Sequence, residues 1–272
     1  MSLSILNNIS ALQAENQLSI TTAAANKSLQ QLSSGSRINS GSDDAAGLAI
    51  SDGLNANVAA LNQSSLNATN AVGSLQTADG ALAQVTALLN RSVTLATEAS
   101  NTGLSSAQST AINNEFQALL TQIGNIGTST NFNGTAVFGS TVSAFTSDGT
   151  TNGTVSIGGA VAALTTTSLG LNASTLATSS GAQAALTVIT AAISTVSAQR
   201  GTLGATVEQL QAASTVDTNE SQNLVSASSN ITSADISTVV ANDTKYSILQ
   251  QTGISALQQA NQQAQTVLKL LQ

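Results

Sequence analysis

Four of the few charged residues in this sequence lie close together, between residues 37 and 52. The stretch SSGSRINSGSDDAAGLAI (residues 33 to 50) carries Arg37, Asp43 and Asp44, and Asp52 follows it. Neighbouring carboxylates can act as general acid and base or can bind a cation. The 272-residue chain, however, has no His to assist proton transfer, and without His and Cys it lacks the usual ligands of zinc. We therefore predict no catalytic, cofactor-binding or metal-binding residues, and no enzymatic activity.

A structural role accounts for the same cluster. Gly35 and Gly41, with the Ser and Asn residues around them, interrupt any helix that reaches this stretch. Asp43 and Asp44 stand where an N-cap carboxylate would accept hydrogen bonds from the free N–H groups of a following helix. The sequence therefore predicts an elbow between two helices, which contains Arg37, Asp43 and Asp44.

The composition excludes several classes of function. Lys and Arg number 6 against 13 Asp and Glu, the formal net charge is −7, and no basic stripe is present to bind phosphates. Nucleic acid is therefore not an expected partner. The N-terminal residues lack a basic region and a sustained apolar run, so we expect no Sec signal peptide, no membrane-spanning segment and no membrane insertion. Aromatic residues make up only 2 % of the chain, which favours a thin helical body over a thick core.

Apolar residues recur in alternating steps of three and four over most of the chain, which predicts long helices in a coiled-coil-like bundle. The clearest series predicts one long helix that begins near Ser51 and contains Leu54, Val58, Leu61, Ser65, Ala68, Val72, Leu75, Asp79, Leu82, Thr86, Leu89, Val93 and Ala96. Gly103 interrupts it, and Ser105 or Ser106 is the predicted N-cap of a second helix. The series of this second helix is Ile112, Phe116, Leu119, Ile123 and Ile126. The helical period returns later, with Leu186, Ile189, Ile193, Val196, Leu203, Val207 and Leu210.

The middle and the two ends of the chain follow other patterns. Residues 127 to 181 are rich in Gly, Thr and Ser, and GTAVFGSTVSAF and GTVSIGGAV predict one or two β-hairpins. Residues 3 to 33 and 246 to 272 carry helical series too weak for isolated helices, so we expect the two ends to pair with each other. Gly201 and Gly204 lie inside a predicted helix and suggest that another backbone comes close there. The predicted fold class is mainly α, an elongated antiparallel helical bundle or coiled-coil rod with paired terminal helices and a small β-hairpin region in mid-chain.

Several segments together resemble bacterial flagellin. They are LSSGSRINSGSDDAAGLAIS, NATNAVGSLQTADGALAQV, QRGTLGATVEQLQ and ILQQTGISALQQANQQAQTVLKLLQ, within residues 1 to 134 and 185 to 272. The resemblance implies a structural subunit that assembles with itself into the extracellular filament of the bacterial flagellum, which is used for swimming motility. It also implies that the protein is secreted, exported unfolded by the flagellar type III apparatus. The implied partners are an export chaperone, the cap protein and the hook-junction proteins.

The resemblance also implies a division of the chain. Residues 1–42 would form the N-terminal half of an inner helical domain plus the elbow, and 233–272 its C-terminal half. Residues 43–134 and 185–232 would form the two parts of a rod domain, and 135–184 a short, β-rich variable tip. We expect the terminal helices to become ordered on polymerisation, through residues that gain neighbours in the filament: Ile5, Ile9, Leu12, Leu257, Ala264, Val267 and Leu271.

The resemblance leaves some assignments open. In this family an Arg, a Leu four residues later and a Glu on the next helix contact a Toll-like receptor of animals, and Arg91, Leu95 and Glu115 match them; alternatively, Leu95 packs in the rod and Arg91 is solvated. Arg37 either ties the elbow to a neighbouring subunit or is solvated. Ser228, Ser229 and Gln272 stand where the family often has Arg. The alternative functions are a hook-filament junction adaptor, which forms a small ring, and an enzyme inserted in mid-chain, which the lack of His and Cys disfavours.

Overall fold

The structure, a computed structural model, describes residues 8–150 and 153–270; of Ala264 and residues 267–270 it describes the backbone alone. The mainly α class predicted from the sequence is confirmed, and two antiparallel strand pairs occupy the middle of the chain. In chain order the elements are α1 (Ile9–Ser34), α2 (Ala45–Ala99), α3 (Ser106–Ser129), β1 (Asn131–Phe132), β2 (Thr135–Ala136), β3 (Ser140–Ser147), β4 (Thr154–Val161), α4 (Ser179–Thr232) and α5 (Ile236–Leu270).

By its internal contacts the chain divides into two units. Unit 1 comprises Met1–Asn55 and Leu224–Gln272, and unit 2 comprises Ala56–Asn223. Unit 1 contains α1, α5, the first residues of α2 and the last residues of α4. Unit 2 contains the remainder of α2 and α4, together with α3 and all four strands.

In unit 1 the terminal helices α1 and α5 pack antiparallel, so the predicted pairing of the two ends is confirmed. The Asn8 side chain donates to the carbonyl of Ala260 at 3.0 Å, and the Gln250 side chain donates to the Thr22 hydroxyl at 3.2 Å. The α5 helix begins at Ile236, earlier than the expected 246. The buried residues of α1 are small, which allows close approach: Thr21, Ala25 and Ser28.

In unit 2 the long series of α2 is correct in period but only half correct in position. Alternate members of the series are buried as predicted: Leu61, Ala68, Leu75, Leu82, Leu89 and Ala96. The intervening members, such as Val72 and Asp79, are only partly buried. Instead, the residues one position earlier are buried: Ser64, Ala71, Ala78, Val85 and Ser92. Small side chains at most of these positions let neighbouring elements approach closely, and Asp79 stays accessible because its carboxylate pairs with Arg200.

The second helix begins as predicted. Ser105 is its N-cap, and its hydroxyl accepts from the Gln108 N–H at 3.3 Å while the Gln108 side chain accepts from the Ser105 N–H at 2.9 Å. The buried face of α3 differs from the prediction at one step, because Leu120 is buried where Leu119 was expected. A four-residue step after Phe116 puts Leu120 on the inner face.

The expectation for Gly201 and Gly204 is wrong within the single chain. A Cβ atom placed on either glycine would meet nothing within 4 Å, so no other backbone in the described structure comes close to them. The α4 helix also holds a stretch long and apolar enough, by length and composition alone, to cross a membrane, which was not expected. Ala185, Ile189 and Ala192 of this helix pack in the core of unit 2.

The predicted β-hairpins are confirmed. A two-residue loop, Asn133 and Gly134, joins β1 to β2, and both residues have the positive φ angles, 50° and 77°, that such tight turns require. Strands β3 and β4 pair antiparallel over eight residues each, from Ser140 opposite Val161 to Ser147 opposite Thr154. The α2 helix secures β3, because the Ser64 hydroxyl donates to the carbonyl of Ser147 at 2.9 Å and accepts from its N–H at 2.7 Å.

Polar groups join α2 and α4 inside unit 2. The hydroxyls of Ser65 and Ser214 are 2.8 Å apart, and Arg200 Nε donates to Asp79 at 2.7 Å. Asp217 is the exception, since its Oδ2 atom is buried and has no hydrogen-bond partner among the described residues. Burial and the nearby Glu220 charge raise the pKa of Asp217 above its ordinary value. The ionised carboxylate therefore destabilises unit 2.

We predict that Asp217→Asn raises the melting temperature of the protein at pH 7. A raised folded-state pKa means that protonated Asp217 costs nothing below the ordinary pKa, whereas the penalty grows as pH rises through the raised pKa. The difference between variant and wild type should therefore disappear near pH 3. The measurement is thermal unfolding by circular dichroism from pH 3 to 8, with the exposed Glu208→Gln as control. A gain for Asp217→Asn that is the same at every pH would contradict the prediction.

Candidate assembly surface and elbow

The large aliphatic residues near the start of α1 face away from α5. Ile9, Leu12 and Ile20 are 61 %, 59 % and 63 % exposed. Their spacing places them on one side of the helix, opposite the buried face that contains Thr21 and Ala25. On α5 several aliphatic residues are also substantially exposed, among them Ile248, Leu249 and Ile254. The terminal pair thus buries small residues internally and leaves large apolar ones uncovered.

The predicted polymerisation residues differ in their surroundings. Ile9 and Leu12 lie on the exposed face of α1, and Leu257 of α5 is half-buried. Ile5 and Leu271 lie outside the described residues, as do the side chains of Ala264 and Val267. The described structure therefore brings together only part of the predicted set, on the two paired helices.

The elbow brings Arg37 to the C-terminal end of α4. The guanidinium Nη2 atom donates to the carbonyl of Ile231 at 2.7 Å, and the Arg37 N–H donates to the carbonyl of Thr232 at 2.6 Å. These carbonyls belong to the last turn of α4, where helical partners are missing. A cation is also favourable at the negative end of the helix dipole. Within its own chain, Arg37 caps α4.

The two adjacent aspartates of the elbow have different partners. Asp44 is the N-cap of α2, because its Oδ1 atom accepts from the Gly47 N–H at 2.9 Å. A side chain at Gly47 would collide with this carboxylate and with Ile38. Asp43 instead forms an ion pair with Lys27 of α1 at 2.7 Å. The N-cap position expected for both residues is therefore occupied by Asp44 alone.

Asp43 also closes the turn that precedes α2. Its Oδ2 atom accepts from the N–H groups of Asn39 and Ser40, both at 3.1 Å. The hydrogen bond from Lys27, followed by the bond from the Asn39 N–H, lowers the pKa of Asp43 to about 2. Because the pKa is lowered, the stabilisation is present above pH 4 and is lost as pH falls towards 2.

Asp235 is a capping residue that was not predicted from the sequence. Its Oδ1 atom accepts from the Ser237 N–H at 3.0 Å, and its Oδ2 atom accepts from the Thr238 hydroxyl at 2.8 Å. These bonds, with that from the Thr238 hydroxyl first, lower the pKa of Asp235. An Asp followed three residues later by Thr, before the apolar Val239 and Val240, was the N-cap pattern that could have revealed it.

The three residues matched to the receptor contact have unequal exposure. Arg91 of α2 donates through Nε and Nη2 to Oε1 of Glu115 on α3, at 2.9 Å and 2.7 Å, and both side chains are about half exposed. Leu95 is only 1 % exposed and packs in the core of unit 2. In the free chain, therefore, only Arg91 and Glu115 of the three present side chains to solvent.

Nothing in the described part of the chain assembles a chemical centre. No group of three or more His, Cys, Asp or Glu side chains among residues 8–150 and 153–270 is arranged to hold a metal ion. An open groove in unit 2 has a volume of about 680 Å³ and is lined by Val93, Thr94, Thr97, Glu98, Asn101 and Leu104. Glu98 is the only ionisable group among these residues, so the groove offers no acid–base pair.

Comparison with known proteins places these features in a family. The sequence matches the bacterial flagellin N-terminal helical region over residues 5–143 and the bacterial flagellin C-terminal helical region over residues 186–271. It is 34 % identical to a flagellin of Halalkalibacterium halodurans over 98 % of this chain and 99 % of that protein. It is also 34 % identical to a flagellin of Bacillus subtilis, with the same coverage of both chains. A crystal structure of Bacillus cereus flagellin is 25 % identical and has a TM-score of 0.48, covering 56 % of this chain and 88 % of that one.

We predict that Asp44→Ala destabilises the start of α2 by about 1 kcal/mol, because the Gly47 N–H loses its capping acceptor. Asp44→Ser and Asp44→Asn keep a capping oxygen and should recover most of the loss. Urea unfolding followed by circular dichroism measures the difference, and amide hydrogen exchange at Gly47 localises it. Equal stability of the Ala and Ser variants would show that Asp44 does not act as a cap.

Proposed function

The chain belongs to the bacterial flagellin family and is a structural subunit of the flagellar filament, and on that premise we propose that it polymerises through the exposed apolar faces of α1 and α5. The observation that carries this proposal is the outward position of Ile9, Leu12 and Ile20, each about 60 % exposed in the single chain. Covering these side chains with neighbouring subunits would contribute about 1 to 2 kcal/mol each. The internal contact of α1 with α5, made of small residues, has less to contribute.

Folding of the ends is coupled to assembly in this proposal. Ordering a residue costs about 1 to 2 kcal/mol, and the small buried face of α1 offsets little of that cost in a monomer. In a filament the terminal helices gain neighbours on their outer faces, through Ile9, Leu12 and Leu257, and also through Ile5, Ala264, Val267 and Leu271. Helicity of the ends should therefore rise on polymerisation.

The proposal extends to the pathway and the partners of the subunit. The chain is exported unfolded by the flagellar type III apparatus, is secreted to the cell exterior and adds to the filament beneath the cap protein. An export chaperone and the hook-junction proteins are the other partners. The proposed inner domain consists of residues 1–42 and 233–272, the rod domain of 43–134 and 185–232, and the variable tip of 135–184. Scarcity of aromatic residues and of large side chains suits a chain that must travel unfolded and then fold at its destination.

The hook-filament junction adaptor is the alternative function, and electron microscopy separates it from the proposal. A filament subunit gives long tubes when the purified protein is brought to polymerising conditions, whereas an adaptor gives short rings. The matches to flagellin regions at both ends of the chain favour the filament subunit.

We predict that Leu12→Ser combined with Ile20→Ser raises the critical concentration for polymerisation by at least about tenfold, because each loses roughly 1 to 2 kcal/mol of burial. Sedimentation of filaments at a series of protein concentrations measures this value. Leu66→Ser is the matched control, since Leu66 is 58 % exposed but lies in unit 2. An unchanged critical concentration in the double variant, with helical content intact, would refute the proposed contact surface.

We also propose that the Arg91–Glu115 pair is a contact for a Toll-like receptor of animals. The pair joins α2 to α3 on the surface of unit 2 and is open to a partner. Leu95 would act indirectly, by packing beneath Arg91, because its side chain is buried in the monomer.

Arg91→Ala should weaken activation of the receptor by at least about tenfold, since an interfacial Arg can contribute about 2 kcal/mol or more. A cell reporter assay with monomeric protein measures the response, and Glu98→Ala, which removes an exposed charge from the same helix, is the control. Equal responses from wild type and Arg91→Ala would refute the proposal.

A further inference from the structure

The elbow satisfies hydrogen-bonding groups that α4 leaves open at its end. Ile231 and Thr232 are the last two residues of α4, so their carbonyls have no partner in the helix. Arg37 donates to both of them, through its side chain and its backbone N–H, and the Ser36 hydroxyl donates to the Thr232 carbonyl at 2.9 Å. Three donors from two adjacent residues thus bind the end of α4.

A backbone bridge completes this contact. Ser36 and Ser233 form an isolated antiparallel bridge, in which the Ala234 N–H donates to the Gly35 carbonyl at 3.0 Å. We call residues 35–37 with 231–234 the elbow clamp. The elbow clamp follows directly after α1, which ends at Ser34, and comes just before α5, which begins at Ile236 with Asp235 as its cap.

The register of α1 against α5 continues the register of the elbow clamp. Thr22 precedes Ser36 in the sequence by a similar distance to that by which its partner Gln250 follows Ser233. Farther from the clamp, Asn8 and its partner Ala260 stand in the same relation to Ser36 and Ser233. Both helices rise about 1.5 Å per residue, so nearly equal lengths of sequence keep the two helices in step.

The contact between the helices specifies this register only weakly. The buried residues of α1 are Thr21, Ala25 and Ser28, which have no large side chain that would clash after a slip. A slip of one residue, however, rotates a helix by about 100°. It would turn Ile9, Leu12 and Ile20 away from the face on which the proposed polymerisation depends.

We propose that the elbow clamp fixes the register of α1 against α5, with Arg37 as the positioning residue. The proposal rests on the proposed function in one respect, that assembly needs a single register. Arg37 acts here on its own chain: it holds the start of α5 against the end of α1, and the terminal helices then pair outward from that point. A neighbouring subunit is not needed to engage Arg37.

Cysteine pairs can report the register directly, because the natural chain has no Cys. A Cβ atom placed on Gly253 would lie 3.9 Å from the Cβ atom of Leu18, within the range of about 3.5 to 4.5 Å found in disulfides. Leu18→Cys with Gly253→Cys is therefore the reporter of the native register. Leu18→Cys with Gln250→Cys, almost one turn away on α5, is the reporter of a slipped register.

The test compares disulfide yields after mild oxidation of filaments that carry Arg37, Arg37→Ala or Arg37→Lys. With Arg37, the native reporter should link and the slipped reporter should not. With Arg37→Ala, the native yield should fall by at least about threefold and the slipped yield should rise, since loss of one charge-assisted hydrogen bond changes such an equilibrium by about tenfold. Arg37→Lys keeps a cationic donor and should restore part of the native yield. Unchanged yields in Arg37→Ala would overturn the proposal, while leaving the filament function intact.

Amide hydrogen exchange in the monomer tests the elbow clamp without any filament. The N–H groups of Arg37 and Ala234 should be protected in the wild-type monomer, and Arg37→Ala should speed exchange at Ala234 by about tenfold. Exchange at Ile189, in the core of unit 2, should not change, which separates loss of the clamp from general unfolding. Unprotected Ala234 in the wild type would overturn the proposal. Failure of the wild type to polymerise would instead count against the proposed function.

Discussion

Close packing of small side chains along very long helices is the constraint on which this structure depends. Each contact between Ala, Ser or Thr residues buries little apolar area, so stability must be accumulated over many turns. The α2 and α4 helices, of 55 and 54 residues, provide this length. Larger residues, such as Phe116 and Ile123 of α3, complete the core in unit 2, where several elements meet. In unit 1 two helices pair with little else around them, and their large aliphatic residues stay uncovered.

Long helices also concentrate their unsatisfied polar groups at a few places. The elbow answers this requirement with a small number of charged residues. Asp44 caps the start of α2, Asp235 caps the start of α5, and Arg37 caps the end of α4. Asp43 joins the same turn to α1 through Lys27. The charges that first suggested an active site are therefore engaged with helix ends and with each other.

The distribution of charge and of apolar surface fits a structural polymer subunit. Arg91 and Arg200 each pair with a carboxylate inside unit 2, and the described residues of that unit contain no other basic side chain. No catalytic or metal-binding group is assembled from the described residues. What remains available for contact is the apolar face of the terminal helices, at Ile9, Leu12 and Ile20, and that face becomes useful only when copies of the chain meet. Function therefore resides in surfaces that are incomplete in one molecule.

The sequence by itself determined the helical period, the helix breaks, the mid-chain hairpins and the membership of the elbow, because these depend on local preferences of Gly, Ser, Asp and the β-branched residues. It also determined that His and Cys chemistry is absent. The tertiary structure decided which side of each helix is buried. Small residues such as Ser64 and Ala71 can lie on either side of a periodic series, and only the neighbouring helix selects between them. It also decided that Leu95 is internal, that Gly201 and Gly204 are open, and that Arg37 binds the end of α4. Those partners lie up to 194 residues away in the sequence, where no local preference can specify them.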